Sequence, residues 1–115
     1  MTPGLVNFVC PQGSTFRRTL TYSLDAVPVN LSGYSSRLQV RQAYYSDNPL
    51  VSLVSGSGGI TMGGSAGTID ILISASATSS FPTGTHVYDL EIVSPSNIVD
   101  RLIEGTFNVT PEVTR

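Results

Sequence analysis

The sequence predicts an all-β sandwich, and three observations carry that prediction. Helical periodicity is absent: no stretch combines good helix formers with apolar residues spaced three and four apart. Ser, Thr, Val, Ile and Tyr dominate instead, and Gly or Pro interrupts the chain at short intervals, as short antiparallel strands require. Between these interruptions apolar and polar residues alternate, which gives each strand one buried face and one wet face.

The first strand is expected over residues 5–10, closed by Pro11-Gln12-Gly13. Residues 14–24 form the second, with Phe16, Leu20, Tyr22 and Leu24 on one face and Thr15, Arg17, Thr19 and Thr21 on the other. Arg18 falls on the apolar face, so it must lie near a sheet edge or meet an acid. Residues 25–33 read as a connection containing Pro28, Asn30 and Ser32. The third strand, residues 34–42, turns Tyr34, Ser36, Leu38 and Val40 inward and Arg37, Gln39 and Arg41 outward. A turn at Tyr44-Tyr45-Ser46-Asp47-Asn48-Pro49 leads to a short strand over 50–54, broken by Ser55-Gly56-Ser57-Gly58-Gly59.

Ile60-Thr61-Met62 lies between that glycine cluster and Gly63-Gly64-Ser65-Ala66-Gly67, a spacing that suits tight hairpins needing positive φ. Residues 68–73 place Ile69, Ile71 and Ile73 on one face, and Ser74 to Ser80 is expected to make a single helical turn. The last two strands, 85–93 and 98–110, form a long hairpin. His86, Tyr88, Leu90 and Ile92 share one face of the first. In the second, Arg101, Ile103, Phe107 and Val109 share one face and Asp100, Leu102, Glu104 and Thr106 the other, with Gly105 a bulge or a point of close approach.

A chain of 115 residues fits one domain, residues 1–115, and buries roughly two-thirds of its unfolded surface. Charged residues make up 12%, about half the usual share, so solubility rests on Ser, Thr, Asn and Gln. All six basic residues are Arg, and eight acids bring the net charge to -2, which leaves no electrostatic footprint for nucleic acid. Arg without Lys fits a surface covered by partners, because Arg is favoured at interfaces and Lys is depleted there. The Met1-Thr2-Pro3-Gly4 start lacks a basic region followed by an apolar run, and no segment reaches transmembrane length; the expectation is synthesis in a cytoplasm and no membrane partner.

Catalytic chemistry finds little to work with. One His and one Cys, His86 and Cys10, are separated by most of the chain. The bland readings win: Cys10 as a small core hydrophobe beside Phe8 and Val9, His86 as a half-buried, hydrogen-bonded strand residue. No Gly-x-Ser-x-Gly elbow occurs, one His and one Cys cannot build a structural zinc site, and the glycine clusters lack the Lys and following helix of a phosphate loop. Asp89, Glu91, Asp100 and Glu104 are spaced as a solvated face with Arg37, Arg41 and Arg101 as cross-strand partners, not as a calcium loop. Asn30-Leu31-Ser32 and Asn108-Val109-Thr110 match the glycosylation sequon without a leader to give it meaning. The expectation is no enzyme, no cofactor and no metal. The one exposed-aromatic signal is Tyr44 and Tyr45: adjacent residues face opposite ways, so at least one should be exposed, and with Asp47, Asn48 and Leu50 they make a candidate interface. The apolar run Leu50, Val51 and Leu53 fits either core or contact.

At Pro11-Gln12-Gly13-Ser14-Thr15-Phe16, Val29-Asn30-Leu31-Ser32-Gly33-Tyr34, Gly67-Thr68-Ile69, Tyr88-Asp89-Leu90 and Arg101-Leu102-Ile103-Glu104-Gly105, the chain resembles small structural proteins of tailed bacteriophages. In particular it resembles the immunoglobulin-like N-terminal domains of upper-baseplate and fibre-attachment proteins. The resemblance implies an immunoglobulin-like antiparallel β-sandwich of about seven to nine short strands. It also implies a virion structural protein without catalytic residues, made in the host cytoplasm and present in several copies among other virion proteins of a symmetric assembly. Those domains continue into a fibre or coiled coil, whereas this sequence ends at Thr114-Arg115. A stand-alone tail or baseplate adaptor is therefore expected, with a capsid decoration protein as the alternative and a host-glycan-binding module as a third reading.

Overall fold

The computed structural model describes residues 3–56 and 58–114. The expectations attached to Met1, Thr2, Ser57 and Arg115 lie outside the described residues. The strands are β1 (Gly4–Leu5), β2 (Phe8–Pro11), β3 (Phe16–Thr21), β4 (Ser23–Leu24), β5 (Val27–Pro28), β6 (Ser35–Arg41), β7 (Val51–Ser55), β8 (Gly59–Met62), β9 (Thr68–Ile73), β10 (Gly84–Val93) and β11 (Val99–Thr110). One helical turn, α1 (Ala75–Thr78), is capped by Ser74, whose Oγ accepts the Ala77 amide at 3.2 Å.

Nine of these strands form one sheet in the order β1-β11-β10-β6-β7-β8-β9-β3, with β2 also on β11; β4 and β5 pair separately as a ribbon. The sheet doubles over between β7 and β8. Its far ends meet: the Phe16 ring on β3 lies 5.1 Å from the Phe107 ring on β11, and 5.4 Å from Phe8 on β2. One layer is thus β7-β6-β10-β11 with β1 and β2 at its edge, and the other is β8-β9-β3. The chain crosses between layers at β2 to β3, β3 to β6, β7 to β8 and β9 to β10. These crossings build a two-layer all-β sandwich.

Alternation fills the core as expected. Leu38 and Val40, Ile69, Ile71 and Ile73, and His86, Tyr88, Leu90 and Ile92 are buried, each set on one face of its strand. Cys10 is fully buried among them. Leu53 is buried and Leu50 and Val51 pack against the core, so that apolar run is core. Leu31, in the expected connection, is also core: its amide donates to the Gly64 carbonyl at 2.9 Å and ties the connection to the opposite layer.

Several expectations are corrected. The pairing is not wholly antiparallel, since β1 and β2 run parallel to β11, and β7 runs parallel to β8. The first glycine cluster is therefore not a hairpin. Val54 and Gly58 exchange both main-chain bonds and the chain leaves in its original direction, with Gly56 at φ 92° and Gly59 at φ 93°, because β8 must join β9 in the other layer. The second cluster is a hairpin, closing β8 and β9 through a 3-10 turn at Gly64–Ala66. The expected first strand splits at Val6 and Asn7, where the chain leaves β1 and rejoins β11 as β2. The expected second strand yields β3 and then β4, whose Leu24 is exposed instead of inward.

In the terminal hairpin Leu90 faces Ile103 but Glu91 faces Arg101, so Leu102 is an extra residue on β11. This bulge reverses the alternation and sends Arg101 to the outward face, opposite the side expected for it. Gly105 is a point of close approach: a Cβ there would collide with the Val6 carbonyl oxygen.

Candidate interaction surface

The connection between β6 and β7 is a built loop. The Ser46 amide donates to the Ala43 carbonyl at 3.1 Å, and the Ala43 amide donates to Ser46 Oγ at 3.1 Å. Arg41 Nη1 donates to the Ser46 carbonyl at 2.7 Å, while its Nη2 donates to Gln39 Oε1 at 2.8 Å. At the far end the Leu50 amide donates to the Val40 carbonyl at 2.7 Å. Tyr44 and Tyr45 occupy the two central positions of the Ala43–Ser46 turn, where both side chains are directed away from the body. They are 85% and 88% exposed.

Strand alternation would have turned one ring inward; a tight turn turns neither. Asp47 and Asn48 follow, both exposed, whereas Leu50 is half-buried against the core and anchors the loop. Of the five candidate residues, four are presented to solvent and the fifth holds them there.

Tyr44 also borders a depression of about 260 Å³ over the outward face of β6, β10 and β11, together with Gln39, Arg41, Asp89, Arg101 and Glu104. The acids expected on a solvated face are there, tied to arginines. Arg37 Nε meets Glu91 Oε1 at 2.7 Å, and Arg101 meets both Asp89 at 3.5 Å and Glu104 at 3.1 Å. These pairs are partly exposed and screened by solvent, so they add little stability and serve to fix side-chain positions. Burial raises the Asp89 carboxyl above its ordinary range, against the opposing pull of Arg101.

The two residues with catalytic potential are used by the core. His86 is buried with Nε2 2.7 Å from the Pro82 carbonyl oxygen. Burial raises the Cys10 thiol above its ordinary value, with Arg18 acting weakly the other way. Among the described residues no buried side-chain polar atom lacks a hydrogen-bond partner, and no three His, Cys, Asp or Glu side chains gather to hold a metal ion. Burial also pushes up the Tyr88 hydroxyl, which donates to the Val6 carbonyl at 2.6 Å across the Gly105 gap.

A second surface was not legible in the sequence. A groove of about 460 Å³ runs between the β1 and β3 edges, floored by Leu20, Leu102 and Ile103. The β4–β5 ribbon stands at its rim with Leu24 59% exposed, and Leu5 nearby is 76% exposed. The ribbon turns at Asp25 and Ala26, both at positive φ (52° and 65°). Neither Gly nor Asn marks that turn, so the only sequence signal was a lone Asp in a segment read as a connection. Compared with protein-family models and with curated protein sequences, the chain matches none.

Proposed function

We propose that this chain is a structural protein of a tailed-bacteriophage virion, acting by protein-protein contact in the tail or baseplate, in several copies among other virion proteins. The phage assignment rests on the sequence resemblance. The contact mechanism rests on one observation: two adjacent tyrosines, each more than four-fifths exposed, on a loop fixed at both ends by hydrogen bonds.

The physical case is that of an interface anchor. Each ring covered by a partner contributes on the order of 2 kcal/mol from burial, and the tyrosine hydroxyl retains a hydrogen bond at the rim. Because Arg41 and Ser46 already order the loop, little main-chain freedom is lost on docking. Asp47 and Asn48 supply polar contacts around the anchors, and Leu50 keeps the loop seated. Low charge and the arginine-only basic set suit a surface that spends its life against other proteins.

Particle incorporation tests this reading. Replacing both anchors (Tyr44→Ala with Tyr45→Ala) should leave the melting temperature within about 2 °C of the parent, since neither ring packs in the core, while lowering incorporation into particles by about tenfold or more. Unchanged incorporation removes the tyrosine contact. If the isolated domain instead binds a sugar array through these tyrosines, the glycan-binding reading replaces the structural one.

A further inference from the structure

The seam between the two ends of the sheet is closed along one stretch and open along another. Along the closed stretch Arg18 acts as a clasp: its guanidinium lies 4.5 Å from the Phe16 ring centre, and its Nη2 donates to the Val9 carbonyl on β2 at 3.3 Å. This satisfies an outward main-chain acceptor of β2 and holds the two edges together. Beyond the clasp, where β1 faces the end of β3, an apolar groove lies between the edges, lined among the described residues by Gly4 and Val6 on one side and Leu20 to Leu24 on the other.

The main chain of β3 faces that opening in a defined way. Opposite residues in an antiparallel ladder alternate between exchanging both main-chain bonds and exchanging none. The Tyr22 amide donates to the Gly67 carbonyl at 2.8 Å, one step beyond the Thr21–Thr68 pair. Leu20 and Arg18 are then the residues bonded to β9, and the amides and carbonyls of Thr19 and Thr21 point away from it, along an edge that carries no further strand of the sheet. Among the described residues, the groove beside this edge is lined by no charged side chain.

We infer that this open seam takes an extended segment of a partner protein as an additional strand on β3. Its main chain pairs with Thr19 and Thr21, and its alternate side chains, apolar and uncharged, enter the groove over Leu20, Leu102 and Ile103. Two features specify a strand as the occupant: a sheet edge with outward main-chain donors and acceptors supplies the pairing, and an apolar trough alongside it accepts every second residue. The exposed Leu24 on the strained β4–β5 ribbon closes over the rim. This contact is separate from the tyrosine loop, so either can fail without the other.

A fluorescein-labelled synthetic peptide alternating valine and threonine tests the inference, with binding followed by fluorescence anisotropy and amide hydrogen exchange. Binding should slow exchange at Thr19 and Thr21. It should weaken about tenfold or more in Thr19→Pro, which removes an outward donor, and in Leu24→Lys, which charges the rim, and should be unchanged in the double tyrosine variant. If Thr19→Pro does not fold, Leu24→Lys and the exchange pattern of the parent protein decide. The inference is overturned by no binding at roughly millimolar peptide, by binding that leaves those two amides unprotected, or by equal binding to the folded edge variants. Protection that appears without peptide and grows with protein concentration overturns it in favour of a second copy of this chain.

Discussion

Asp70 and Asp89 are both carboxylates on outward strand faces, yet their surroundings push them in opposite directions. Hydrogen bonds from Arg17 and Thr19 hold Asp70 below its ordinary range, while burial holds Asp89 above its own. Linkage then assigns opposite signs. The Asp70 contribution is present above the unfolded-chain pKa and is lost as pH falls through the lower folded value. The folded state instead gains from Asp89 as pH falls through its raised value, because the ionised form is the disfavoured one. Thermal melts from neutral pH down to about pH 3 should show the parent losing stability relative to Asp70→Asn, and gaining it relative to Asp89→Asn. Parallel curves for both variants would refute the assignment. At this scale the sequence was legible wherever a strand's alternation ran unbroken, as at His86, Tyr88, Leu90 and Ile92. The turn at Tyr44 and Tyr45 was legible too, though not that both rings would be exposed; illegible was a loop residue such as Leu31, which enters the core through a contact distant in sequence.

The terminal hairpin shows how one element is set by a residue that contributes no side chain. Gly105 faces Tyr88 on β10, and the missing Cβ lets the Val6 main chain lie against β11, where its carbonyl accepts the Tyr88 hydroxyl. Gly105→Ala should push Val6 away and cost about 1–3 kcal/mol in urea unfolding. Tyr88→Phe should cost about 1–2 kcal/mol by leaving that carbonyl without its donor. If the Val6 contact is the shared cause, the double variant should cost less than the sum of the two. The sequence marked Gly105 as a close approach but not the bulge at Leu102, because an inserted residue among polar and apolar neighbours leaves no local trace. Only the pairing of Glu91 with Arg101 exposes it. For the same reason the glycines around residue 58 announced a tight turn without saying that the chain would leave it in its original direction.

Across the whole molecule, the all-β sandwich was legible because every long strand had to hide one face, and only two packed layers can hide them all. The candidate surfaces were half legible. Tyr44 and Tyr45 stand out by residue type, but the seam is a product of how the two ends of a folded sheet meet, which no stretch of sequence contains. One consequence of that meeting is mechanical. Since β2 and β11 run side by side in the same direction, tension applied before β2 and after β11 drags the two strands past one another. All the bonds between Phe8–Pro11 and Phe107–Thr110 are then loaded at once, instead of parting in succession as they would if the β10–β11 hairpin were peeled from its open end. Single-molecule stretching from the two termini should therefore give a higher rupture force than stretching from Gly84 and the C-terminal end of β11, which peels the hairpin. A link built this way transmits pull along its length and yields to peeling.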